Sequence, residues 1–407
     1  MKTKTTLIIT YSLILIAFKQ SMAQQVNDVQ LYTFAHSLID NRPPKIATPS
    51  DETTILHWIY DISQSSGRTF ATTGQFGQLP NHIENLPPNS DLGYDIVPNS
   101  WDETMATFAN SNLNTVMLTA ANFIQYESPS GPDPSDPMGR SIIENTETLF
   151  DWTNTEIPNM RYYIYGNWPE MDLQNAYPPT LPLQSEIDDF HDVTIGTSGD
   201  FAVWWTDYQD LLMASRPQLN TKLIPAGMVI SRILRDLIPN PIPFNELYED
   251  ADPHGRANIY FLAGMISYMA MYEENIPAAY MPATIISPVI RNNLEAIRNF
   301  AWQELNNFNF PNGDSRVFYN EPLNAQQIET VSNFNIIPNP VENTFSIQTE
   351  SAGSNDVTIF DVSGSVINTY TNIKKSDAIN IEDLKSGLYF LEIKNNKGIS
   401  TIKLIKK

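Results

Sequence analysis

Cysteine is absent from all 407 residues. That excludes disulfides, thiolate nucleophiles and cysteine-based metal sites together. Basic residues are scarce, with 24 Lys+Arg against 46 Asp+Glu and a formal charge of -22. Such acidity repels phosphate backbones and anionic lipid, so nucleic acid is not an expected partner. No phosphate-binding glycine loop, His-x-x-His or Glu-x-x-His pair, or internal repeat is found in the sequence. Nucleotide and zinc chemistry therefore have no sequence support, and no cofactor or metal is expected. Apolar runs are also short. The run near the start, Leu7 to Phe18, is about a dozen residues, whereas spanning a bilayer takes about 20.

That run has Lys2 and Lys4 before it and Ser21-Met22-Ala23 after it, the n-region, h-region and cleavage site of a secretion signal. Removing residues 1–23 takes Lys2, Lys4 and Lys19 with it, so basic residues fall from 24 to 21 and the charge goes to 21 - 46 = -25. The mature chain is expected to have no transmembrane segment. With 11% aromatic residues and seven Trp, it reads as a packed globule held by its core rather than a disordered acidic tail.

The texture changes near residue 331. Phe334-Asn335-Ile336-Ile337-Pro338-Asn339-Pro340 opens a series of short alternating strands. Val357 to Val362 precedes Ser363-Gly364, Gly387 to Ile393 precedes Asn395-Asn396, and Ser400 to Lys407 ends in lysines. This spacing predicts a small antiparallel β-sandwich over 331–407. The ordered blocks resemble the type A sorting domain of Bacteroidetes type IX secretion. The resemblance implies a chain exported through the periplasm and then secreted or attached to the cell surface, with the secretion machinery as a partner of this domain.

Residues 24–330 alternate strand and helix, which predicts a parallel sheet with helices on both faces. Expected strands are Leu31–His36, Arg68–Thr73, Thr115–Ala120, Arg161–Tyr165 and Lys222–Ala226. Expected helices are Glu52–Ser65, Trp101–Ala109 with a Ser100/Glu103 capping box, Phe201–Ser215, Arg256–Met271 and Pro288–Leu305. The fold class is thus a three-layer α/β/α, flavodoxin-like five-stranded sheet followed by an all-β domain. Ligands of such sheets bind beyond the carboxyl ends of the strands. The residues there are Phe34-Ala35-His36-Ser37, Thr73-Gly74-Gln75-Phe76-Gly77, Ala120-Ala121-Asn122 and Tyr165-Gly166-Asn167-Trp168, and Asp250-Ala251-Asp252-Pro253-His254 precedes an apolar helix.

Ser, Gly, Asn and His in that order resemble the SGNH hydrolase superfamily, over roughly Gln30 to Met271. The resemblance implies Ser37 as nucleophile, His254 as general base, and Asp252 or Asp250 as its orienting acid. It implies an oxyanion hole from the Ser37 and Gly77 N–H groups and the Asn122 amide, with Gly74 and Asn167 as alternatives. A serine hydroxyl is a poor nucleophile until a base takes its proton, and the base needs an acid to fix its tautomer. The blocks depart from the family's pattern: its Gly-Asp-Ser is Ala35-His36-Ser37 here, its Gly-x-Asn-Asp is Ala120-Ala121-Asn122-Phe123, and its Asp position before the histidine is Ala251.

The implied activity is ester hydrolysis, with an acylated carbohydrate or other small ester as substrate. Two other classes are a non-catalytic surface or glycan-binding protein on the same fold, and a glycosidase using Glu170 and Asp172. Of the remaining histidines, His57 and His82 read as structural or exposed, His36 as pointing away from Ser37 by strand alternation, and His191 as part of an acidic surface loop.

Overall fold

The structure is a computed structural model that describes residues 26–87, 92–120, 127–171, 177–238, 241–319, 335–348, 354–361, 366–375, 377–395 and 398–407. The secretion signal expected at 1–23 lies outside the described residues. Two compact units divide the chain, Met1–Pro322 and Leu323–Lys407.

The first unit is built on five parallel strands, β1 (Asp28–Ala35), β2 (Thr69–Phe76), β3 (Thr115–Leu118), β4 (Arg161–Tyr165) and β5 (Lys222–Ile224). Their order is β2-β1-β3-β4-β5. Because side chains alternate across a strand, a sheet covered on both sides carries apolar residues on both of its faces. β1 does this with Val29 and Leu31 in one core and Tyr32 and Phe34 in the other, and β4 with Tyr163 and Tyr165 against Tyr162 and Ile164. The first core is closed by α1 (Ile55–Ser66), α6 (Ala226–Arg232), α8 (Ala257–Tyr272) and α10 (Leu294–Asn307). The second is closed by α3 (Ile142–Glu156) and α5 (Phe201–Ser215). The remaining α-helices are α2 (Leu79–Glu84), α4 (Gln184–Ile195), α7 (Phe244–Leu247) and α9 (Pro288–Asn292).

All sixteen residues of α8 are buried. It lies so close to α1 that a Cβ on Gly264 would meet Trp58 Cβ at 2.5 Å and the Ile55 carbonyl at 2.8 Å. Thr54 caps α1 by accepting from the Leu56 N–H, and Gly67 ends it in the left-handed region at φ 68°.

Two expectations for helices give way. Trp101–Ala109 contains only a 3-10 turn, Phe108–Asn110. The preceding chain instead lines the edge of the sheet: Thr72 N–H bonds the Pro98 carbonyl at 2.9 Å, and Ser100 Oγ donates to the Leu31 carbonyl at 2.8 Å. The serine hydroxyl is thereby spent on β1, and the Ser-x-x-Glu box occurs at Ser141 and Glu144, at the start of α3. Pro288–Leu305 is two helices, broken at Asn293, which caps the second.

The second unit consists of two antiparallel sheets. One joins β6 (Asn335–Ile337), β7 (Thr344–Gln348) and β10 (Ala378–Asn380) in the order β10-β7-β6. The other joins β8 (Asn355–Phe360), β9 (Val366–Ile373), β11 (Gly387–Asn395) and β12 (Gly398–Lys406) in the order β12-β11-β8-β9. Alternate residues such as Phe345, Ile347, Val357, Ile359, Leu391 and Ile393 form its core. Ser363-Gly364 lies outside the described residues.

Candidate active site

Three loops at the carboxyl end of the sheet carry the candidate residues. After β1 the chain turns sharply, with the Ile39 and Asp40 N–H groups donating to the His36 carbonyl at 2.9 and 3.1 Å. From Leu31 through Asp40 every residue is buried except Ser37, which is partly exposed. The turn therefore leaves Ser37 as the one partly exposed residue of an otherwise closed strand end.

His36 holds this turn from inside. Its Nδ1 accepts from the Leu38 N–H at 3.1 Å, so its Nε2 carries the proton toward the Ala120 carbonyl at 3.2 Å. Burial pushes its pKa down to about 4, against the hydrogen bond to Ala120 and with the help of a positive charge on His254. A neutral imidazole is thus built into the Ser37 turn.

The loop after β4 brings Asn167 to the same place. Its Nδ2 donates to Thr119 Oγ1 at 3.1 Å and to the Ala120 carbonyl at 2.8 Å, and lies 3.5 Å from His36 Nε2. The next residue, Trp168, donates from Nε1 to the Pro253 carbonyl at 3.0 Å, and the Met171 N–H donates to the Ala251 carbonyl at 3.1 Å. The β4 loop is thereby fastened to the loop that carries His254.

That third loop is pinched by a bridge between Tyr248 and Gly255 and by the Glu249 N–H donating to the His254 carbonyl at 2.8 Å. Asp250 organises its interior. Oδ1 accepts from the backbone N–H of Asp252 at 3.2 Å and of His254 at 3.0 Å, and both carboxylate oxygens lie 2.9 Å from His254 Nδ1. A carboxylate on Nδ1 fixes the proton there and leaves Nε2 as the basic nitrogen. The hydrogen bond to Asp250 raises the His254 pKa, outweighing burial. Burial opposes ionisation of Asp250, but its bonds to His254 and to Lys45, whose Nζ lies 2.5 Å from Oδ2, hold the carboxyl well below the usual range. The Tyr260 hydroxyl, on α8, donates to the Ser37 carbonyl at 2.5 Å, tying the helix after His254 to the Ser37 turn.

The resemblance implies either Asp252 or Asp250 as the partner of the histidine. The loop geometry puts Asp250 on Nδ1 and leaves Asp252 exposed, where its charge acts on His254 and Glu170 through space. Gly77 does not aim its N–H at the site: that group donates to the Ala35 carbonyl at 2.8 Å. Gly74 belongs to the interior of β2, where a Cβ would stand 2.1 Å from the Thr33 carbonyl, so close strand approach accounts for it. Both N–H bonds of Asn167 are directed at Thr119 and Ala120, so in this arrangement it braces the loops rather than facing a substrate. Asn122 and Asp172 lie outside the described residues.

The other histidines are buried. His191 is not in a surface loop but on the inner side of α4, 3.0 Å from Ser231 Oγ, and burial lowers its pKa to about 4. His82 sits in α2 against Gln75, lowered to about 3 by burial, and His57 packs on Trp58. Asp250, Asp252 and His254 could offer a cation three atoms within 4.8 Å of one another. Asp250 is already shared between His254 and the ammonium of Lys45, whose charge repels a metal ion, so the set is better suited to proton handling.

Residues 335–407 match the family described as a secretion system C-terminal sorting domain. This segment makes the chain a cargo of secretion. Its route is type IX, and its destination is the cell surface or the extracellular space. Among the described residues no helix is long and apolar enough to cross a membrane. No curated protein matches the chain. Among solved structures, it is similar to a DUF4886 family protein from Bacteroides uniformis, at 12% identity over 71% of this chain and 98% of that one, with a TM-score of 0.43. PorZ, a surface component of the type IX secretion system of Porphyromonas gingivalis, is 17% identical over 18% of this chain and 11% of its own, with a TM-score of 0.16.

Proposed function

We propose that the α/β unit is a secreted serine ester hydrolase that removes acyl groups, acetyl foremost, from carbohydrate. The observation that carries this reading is the Asp250 carboxylate set on His254 Nδ1 at 2.9 Å, in a loop tied to the turn whose one partly exposed residue is Ser37. Ser37 Oγ attacks the ester carbonyl while its proton passes to His254 Nε2. The tetrahedral intermediate collapses, expelling the sugar oxygen, which takes that proton. Water then adds to the acyl-serine with His254 again as base, releasing the acid and restoring Ser37. Asp250 stays ionised throughout and stabilises the imidazolium.

The test is hydrolysis of p-nitrophenyl acetate and acetylated xylan by the purified chain and by Ser37→Ala and His254→Ala. Loss of about 10³-fold or more in kcat is expected for each. Equal rates in wild type and Ser37→Ala would overturn the assignment.

A second reading, a glycan-binding protein without turnover, is favoured by one observation: Gly77 and Asn167 spend their N–H groups internally, so two expected oxyanion donors are committed elsewhere. It predicts binding of acetylated xylan equal in wild type and Ser37→Ala, with no acetate released.

A further inference from the structure

We propose that Lys45 is a positioning residue for the Asp250–His254 pair, holding the carboxylate and setting the pH at which the base becomes available. This rests on the hydrolase reading for its catalytic meaning.

Lys45 comes from the segment after β1, remote in sequence from Asp250, with which it pairs across 205 positions. That segment is anchored at two points. Arg42 grips Asp40 through Nε and Nη2 at 2.5 and 2.6 Å and Asp51 through Nη1 at 3.0 Å. The Lys45 backbone N–H donates to both oxygens of the Glu249 carboxylate at 3.1 Å, and Glu249 is buried beside Asp250. The backbone of Lys45 is thus fixed where its side chain can reach Oδ2 at 2.5 Å. Asp250 accepts two backbone N–H groups and the imidazole as well, so the ammonium completes its set of partners.

Surface ion pairs add little to stability, and the Lys45 side chain is 57% exposed. Its effect is electrostatic and local. The groups facing His254 are Asp250 and Asp252 from its own loop, Lys45 from the β1 segment and His36 from the β1 turn. Glu170 faces Asp252, the Tyr177 hydroxyl faces Asp250, and Arg256 stands by Glu249. The two aspartates favour the imidazolium and Lys45 opposes it, while His36 is neutral in the range where His254 titrates. Removing the Lys45 charge frees Asp250 to hold the imidazolium more tightly and deletes a direct repulsion. Both effects act in one direction, toward a more basic His254.

The experiment compares Lys45→Met with Lys45→Arg, the first keeping the stem without the charge and the second keeping the charge. Two readouts are taken: the acid limb of kcat/KM for p-nitrophenyl acetate, and the NMR titration of His254 in protein labelled at histidine Cε1, with its signal assigned through His254→Gln. In Lys45→Met both midpoints should rise by about half a unit to one unit, the shift expected for one charge a few ångströms away in a wet site. Lys45→Arg should keep the wild-type midpoints. An unchanged NMR midpoint in Lys45→Met, or an equal rise in Lys45→Arg, overturns the role of Lys45. A shifted NMR midpoint in a protein whose hydrolysis does not depend on Ser37 would instead sink the hydrolase reading and leave the Lys45 electrostatics standing.

Discussion

Replacing Asp250 by Asn is the sharpest single perturbation of this site. The change keeps the side chain's shape and one acceptor oxygen, so the bonds to the Asp252 and His254 N–H groups can persist. It removes the negative charge from beside Nδ1 and introduces an NH2 group that prefers an unprotonated ring nitrogen. The imidazole then moves its proton to Nε2, the atom that must accept the serine proton. In Ser-His-Asp triads the same exchange lowers kcat about 10⁴-fold with the geometry intact. A loss of about 10³ to 10⁴ in kcat/KM is expected here, about 4 to 5.5 kcal/mol of transition-state stabilisation. The His254 pKa should also drop, because the hydrogen bond that raises it is gone. Asp252→Asn, at an exposed position, should lose less than about threefold, the range of a through-space charge effect. Initial rates on p-nitrophenyl acetate decide the matter, with circular dichroism confirming that both variants fold. A folded Asp250→Asn variant within threefold of wild type, or an Asp252→Asn variant that is the more damaged, would refute the assignment of Asp250.

His36, His82 and His191 are buried with lowered pKa values of about 4, 3 and 4, so each takes up a proton on unfolding below its unfolded value near 6.5. Stability they contribute is present above that value and lost as pH falls toward 4, the opposite sense to His254; urea unfolding at pH 7.5 and 5 should show a lower midpoint at pH 5, and equal midpoints would refute it. Gly227→Ala places a Cβ 2.1 Å from the Asn167 carbonyl at the start of α6, and should cost about 1 to 3 kcal/mol in urea unfolding while lowering kcat. Unchanged stability there would mean that the β4 loop yields freely. Trp168→Phe removes the bond to the Pro253 carbonyl and should loosen the base loop, seen as faster amide exchange at residues 250–255 with a modest fall in kcat.

The strands were legible because a sheet covered on both sides carries apolar residues on both of its faces, and Arg161–Tyr165 came out with its observed bounds. The helix α5 was equally plain from its Trp and Leu spacing. Helices α3 and α4 escaped notice because Glu, Asp, Asn and Thr dominate them. In α4 only the inward position of His191 and Thr194 reveals a buried side, while Asp188, Asp189 and Asp192 give the stretch the look of a loop. The Ser100/Glu103 box misled because a local pattern was read without the β1 carbonyl that claims the serine hydroxyl. At the site, Ser37 and His254 could be named from their places after a strand and before a helix. The choice between Asp250 and Asp252 turns on which way a tight loop folds inward, and Lys45 and Tyr260 enter only through contacts across 205 and 223 positions. No local pattern encodes those contacts.

The helix α8 has no side facing water, and it begins three residues after His254. A helix apolar all round cannot persist alone in water, so it forms in earnest only when α1 and the sheet close over it. Its Tyr260 reaches back to Ser37, at the far end of the unit's sequence. The turn that carries Ser37 is therefore tied to the helix that follows His254 by a long-range contact rather than by any local piece of the fold. A nascent or partly unfolded chain should be silent toward esters, and measurable hydrolysis during refolding would serve as a clock for the burial of α8.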